Sequence, residues 1–179
     1  MVPMINTAEE ARYVVSASKF PPLGVRGQGS PFTASAFGIT TPEYIHCAND
    51  NLLTIVQIET RQAVERIEEI VQVTGIGKEP YYLYTGWDVN SLSDMVFIGP
   101  NDLALSLLGH TPARQEDVEF HQAVDTVVAA ARKFGVQVGT LVSTGEQAKE
   151  AAKRFDLVAI GGDVKAITWW FEAQLSHVR

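Results

Sequence analysis

Apolar and polar positions along this chain alternate between two periods. Leu53 to Glu59 and Met95 to Asp102 are too apolar for a strand with one solvated face, and each runs into a carboxylate where a helix begins. Val136 to Val142 and Leu157 to Ile160 read as further buried strands. Between them the period changes to that of a helix. Ala63, Val64, Ile67, Ile70 and Val71 share one face of Thr60 to Val73, and Val118, Val124, Val127, Val128 and Ala131 share one face of Asp117 to Phe134, which Gly135 stops. A short apolar helix is expected over Leu103 to Leu108, one over Thr144 to Phe155, and a last one from Gly161-Gly162-Asp163 to His177. From residue 52 onward strands and helices alternate, which calls for a parallel α/β sheet.

The first fifty residues are less regular. Thr7 and Glu10 form a capping-box pattern ahead of a helix over TAEEARYVVSAS, and Thr41-Pro42 places a cap and a first-turn proline before EYIHCANDN. Phe20 to Gly38 holds three prolines and four glycines and reads as a long functional loop. Met1 to Ile5 fits the tail of one more strand. A closed (β/α)8 barrel needs eight strands and about 250 residues, so counting leaves a small open sheet and an arc of a barrel both open.

Composition narrows the class. With 179 residues and 46% apolar side chains the chain can bury one sizeable core, and one domain over 1–179 is the expectation. A net charge of −7 with scattered Lys and Arg argues against nucleic acid and anionic membrane as partners. No apolar run approaches the ~20 residues of a membrane span. Cys47 is the only cysteine, so no intramolecular disulfide forms and a cytoplasmic location is expected, with Cys47 in a structural role. The four histidines lack the spacing of a zinc site.

Candidate chemistry therefore centres on carboxylates. Glu59 and Asp102, at the ends of two strands, offer hard oxygen donors that suit Mg2+ or Mn2+, ions that keep waters for a substrate such as an α-keto acid to displace. The same residues also fit a helix cap and a favourable charge at a helix N-terminus, and spacing leaves both readings open. Gly99-Pro100-Asn101-Asp102 brings helix-start N–H groups beside the second carboxylate, where they can hold a carboxylate or phosphate. Gly161-Gly162-Asp163 resembles a phosphate-binding turn, although a close-packed helix start explains it as well. Arg26 in GVRGQG can meet an anion or order its own loop.

In this order, VPMINTAEEAR, FPPLGVRGQGSPF, VQIET, VFIGPNDLALSLLG and VAIGGDV resemble the HpcH/HpaI aldolase and citrate lyase β-subunit family, from Val2 to about Phe171. The resemblance implies a partial (β/α)8 TIM barrel of the phosphoenolpyruvate/pyruvate type, with about five of the eight strands present. It implies a class II pyruvate aldolase that cleaves a 4-hydroxy-2-oxo acid to pyruvate and an aldehyde. Glu59 and Asp102 then map to the ligands of a divalent metal, Mg2+ or Mn2+, and Gly99, Pro100 and Asn101 to the groups lining the substrate carboxylate. Members are commonly homo-oligomers in which the C-terminal helix packs on a neighbour, a role open here to Ile167, Trp169, Trp170 and Phe171.

Two departures accompany the match. The family's histidine base and the arginine that grips the substrate carboxylate lie in β/α units before the VPM strand, so no catalytic residue is assigned in this chain. Gly77 to Ser93, with Tyr81, Tyr82, Tyr84 and Trp87, intervenes where the family passes almost directly to VFIGP. We expect both departures to reflect gene-model boundaries, with a partner-binding loop as the alternative for the insert. Two other functions remain as alternatives: a catalytically incomplete fragment or pseudoenzyme associating with full-length relatives, and a small open-sheet phosphate binder.

Overall fold

The computed structural model of the protein describes residues 1–30, 32–76, 95–111 and 117–178. The insert expected at about 77–93, with its aromatic residues, lies outside the described residues. Four strands, β1 (Ile55–Ile58), β2 (Met95–Ile98), β3 (Gln137–Val142) and β4 (Leu157–Ile160), pair in parallel in the order β1-β2-β3-β4. The helices are α1 (Ala8–Ser18), α2 (Thr33–Ala36), α3 (Thr41–Ala48), α4 (Arg61–Glu65), α5 (Ile67–Val71), α6 (Pro100–Leu108), α7 (Val118–Phe134), α8 (Gly145–Ala151) and α9 (Asp163–Leu175).

Strand order decides what counting left open. A doubly wound sheet reverses its order partway and carries helices on both faces. Here the order runs straight, and one face meets the helices: Val56, Ile58, Val96, Ile98 and Val138 form a core with residues of α1, α4, α5, α6 and α7. The other face gathers Ile55, Met95 and Phe97 with Leu53, Leu141 and Ala159, all from strands or their approaches. A sheet wound in one direction with helices outside is an arc of a barrel. At its first edge Val2 bridges Val56 in parallel, so Met1 to Ile5 enters the sheet beside β1 as a minimal fifth strand.

Local sequence accounts for most element ends. Thr7 and Glu10 close the expected capping box, Asp117 caps α7, and Gly109 and Gly135 end α6 and α7 in left-handed conformation. The cap of α3 is Thr40 rather than Thr41, because Thr40 is the residue that reaches Glu43 reciprocally three positions on. The helix expected over Thr60 to Val73 divides at Arg66, which lets α4 pack on α6 and α7 while α5 packs on α1 and α7. The helix after β2 begins at Pro100, earlier than Leu103, since proline fits a first turn.

The long loop is held by its own chemistry. Val25 and Arg26 donate backbone N–H groups to the Ser16 and Lys19 carbonyls at the end of α1. This approach leaves no room at Gly24, where a Cβ would lie 2.2 Å from the Ser16 carbonyl oxygen. The Arg26 guanidinium lies 4.5 Å from the Phe20 ring centroid and donates to the Tyr44 hydroxyl, so in this structure it orders the loop. Cys47 is half-buried and its thiol faces the Tyr44 carbonyl.

Candidate functional site

Ile58 pairs with Ile98, so the next residues, Glu59 and Gly99, lie side by side where β1 and β2 end. Parallel α/β folds place their chemistry at this carboxyl rim. Glu59 is only 4% exposed, and its carboxylate is held on both oxygens: the Met4 backbone N–H donates to Oε2 at 2.9 Å and the Gln57 side-chain amide to Oε1 at 2.8 Å. Gly99 gives the carboxylate its space. A Cβ there would lie 2.0 Å from Oε1 and 2.7 Å from Cδ.

Asp102 sits in the first turn of α6, exposed, one turn beyond Gly99. Burial pushes the Glu59 carboxyl above its usual range, the Met4 N–H pulls it down, and the Asp102 charge pushes it further up. Both carboxylates thus stand at the same end of the sheet, one buried and one exposed. Asn101 and Asp102, the second and third residues of α6, present N–H groups that precede the first intrahelical bond from Leu103 to the Gly99 carbonyl. Pro100 has no N–H to contribute.

Among the described residues no group of three or more His, Cys, Asp or Glu is arranged to hold a metal. The pair nonetheless fits a hard divalent cation that retains water, since Glu59 keeps its carboxylate in a space a Cβ would fill and Asp102 adds a second anionic oxygen donor. Gly161 and Gly162 lead from β4 into α9, with the Gly161 N–H bonded to the Val142 carbonyl. Arg26 is engaged with Phe20 and Tyr44.

Sequence reasoning missed Gln57, Met4, Asn6 and Thr60. Gln57 carries a readable signal: a polar residue in an apolar strand, two before Glu59, shares its face. Met4 carries none, because its contribution is a backbone N–H. Thr60 bonds to both sides, its hydroxyl donating to the Asn6 side-chain oxygen and accepting the Ala63 N–H.

Fold and site together define a parallel β/α-barrel arc with a carboxylate pair on its carboxyl rim. The family model for HpcH/HpaI aldolase/citrate lyase matches residues 1–168. A Klebsiella pneumoniae protein named 4-hydroxy-2-oxo-heptane-1,7-dioate aldolase is 34% identical over 174 residues, 97% of this chain and 58% of that protein. The solved HpcH/HpaI aldolase of Desulfitobacterium hafniense superposes with a TM-score of 0.76 at 26% identity, covering 98% of this chain and 61% of that one. A family protein of Burkholderia cenocepacia gives 0.75 at 28%, covering 99% and 63%. The chain belongs to the HpcH/HpaI aldolase/citrate lyase family. It spans less than two thirds of the length of these relatives. Among the described residues no helix is long and apolar enough to cross a membrane.

Proposed function

We propose that this chain carries the metal-binding part of a class II aldolase that cleaves a 4-hydroxy-2-oxo acid to pyruvate and an aldehyde in the cytoplasm. The observation that carries this reading is the Glu59 carboxylate, buried against Gly99 at the sheet rim where Asp102 enters the first turn of α6. Glu59 and Asp102 would hold Mg2+ or Mn2+. The bound cation would supply Lewis acidity toward the keto group, easing departure of the aldehyde.

The protein's own groups bind and orient. Met4 and Gln57 fix both oxygens of Glu59, so one carboxylate face stays directed at the rim. The N–H groups of Asn101 and Asp102, at a positive helix end, receive the substrate carboxylate beside Gly99 and Pro100. Met95, Phe97 and Leu141 keep the inner face of the sheet apolar beneath it. Mn2+ titration by electron paramagnetic resonance, with pyruvate release from 4-hydroxy-2-oxo-heptane-1,7-dioate before and after EDTA, tests the reading. Loss of binding in Glu59→Gln and Asp102→Asn supports it; unchanged binding in both variants, or EDTA-insensitive cleavage, defeats it.

One observation favours a second reading, a catalytically incomplete chain that associates with full-length relatives or with itself. Helix α9 buries none of its residues, and Trp169 and Trp170 are 71% and 54% exposed. Light scattering of the parent and of Trp170→Asp tests association: a larger mass that falls in the variant supports it, and a monomeric parent defeats it.

A further inference from the structure

We propose that Asn6 is a positioning residue for Glu59, acting through the backbone of Met4. The inference rests on the reading of Glu59 as a cation ligand. Among the described residues Met4 is the one non-glycine with a positive φ, 59°. An L side chain disfavours this conformation and burial of the Met4 side chain does not impose it, since Met4 is 49% exposed; Val2 and Ile5 on either side donate their N–H groups to the Ile55 and Gln57 carbonyls. What the conformation achieves is direction: it turns the Met4 N–H onto Oε2 of Glu59 at 2.9 Å.

Asn6 holds the other side of that residue. Its Nδ2 donates to the Met4 carbonyl at 2.9 Å, and its Oδ1 accepts from the Thr60 hydroxyl. The orientation of the amide is fixed by the Met4 carbonyl, which can only accept and so faces Nδ2, leaving Oδ1 toward the Thr60 hydroxyl. The contacts close a ring, Glu59 to Met4 to Asn6 to Thr60 and back along the chain to Glu59. The two ends of this ring belong to different elements, the edge segment before α1 and the turn after β1. Without the Asn6 amide the Met4 carbonyl loses its partner, the residue relaxes toward negative φ, and its N–H leaves the carboxylate.

The test combines Asn6→Ala with Met4→Gly in the full chain, because glycine adopts positive φ without the penalty of a Cβ. Asn6→Ala is expected to weaken Mn2+ binding by about tenfold, the usual scale for a partner that orients a metal ligand. Adding Met4→Gly is expected to restore most of that loss. A role for Asn6 in starting α1 alone predicts lower thermal stability with unchanged Mn2+ affinity. Equal affinity in Asn6→Ala, or a loss that Met4→Gly does not rescue, overturns the proposal. Amide exchange of Met4 is read in parallel without metal: protection in the parent that Asn6→Ala removes supports the linkage, and protection that it leaves intact overturns it. A parent that binds no Mn2+ defeats the cation reading, while the exchange result still decides whether Asn6 positions Met4 against Glu59.

Discussion

Replacing Gly99 by alanine probes the rim most directly. The new methyl carbon would sit 2.0 Å from Glu59 Oε1, about 1 Å inside any tolerated contact, so the carboxylate must move. Moving it breaks the Gln57 bond, worth about 1.5–3 kcal/mol for a charged acceptor, and crowding adds about 1–3 kcal/mol. A net loss of about 3 kcal/mol lowers Tm by about 6–12 °C in a domain of this size. Mn2+ affinity should fall by at least about tenfold, as for other displaced ligand supports. Scanning calorimetry and Mn2+ titration read both quantities. A cycle with Glu59→Ala isolates the cause, because without the carboxylate Gly99→Ala should cost less than about 1 kcal/mol. A Gly99→Ala protein with parental Tm and parental affinity would refute the claim that Gly99 exists to seat Glu59.

Three further outcomes follow from the same geometry. The Glu59 carboxyl is raised above its ordinary value of 4.5, so between 4.5 and the raised value the folded protein binds more protons than the unfolded one and stability falls as pH rises; Glu59→Gln should remove that component from urea midpoints measured across the window. Gly24→Ala sets a methyl against the Ser16 and Lys19 carbonyls, backbone that cannot step aside, and should cost about 1–3 kcal/mol by urea denaturation. Arg26→Ala removes a ring contact and a hydroxyl bond and should cost about 1–2 kcal/mol, with Arg26→Lys recovering only part because an ammonium lacks the planar fork.

The sheet was legible because its signals are local: unbroken apolar runs for β1 and β2, alternation of strand and helix, and carboxylates where strands end. The choice between open sheet and barrel arc was not, since it depends on which strand lies beside which. Caps followed simple rules, and Thr40 was missed only because Thr41 stands nearer the proline. The division at Arg66 answers to two different packing partners, which periodicity cannot distinguish. Glu59 and Asp102 were readable as carboxylates at the end of the sheet. Their supports were less so: Gln57 shows itself by strand alternation, whereas Met4 and Asn6 act across 55 and 54 residues of chain through a main-chain turn that side-chain type does not announce.

The one-to-one rung between Ile58 and Ile98 has a consequence for folding fidelity. If β2 slipped by a single residue, Phe97 and Ile98 would exchange faces, and the glycine beside Glu59 would give way to a residue with a side chain. The core and the rim would fail in the same event. The same register thus sets both which side chains the core receives and which residue stands beside Glu59.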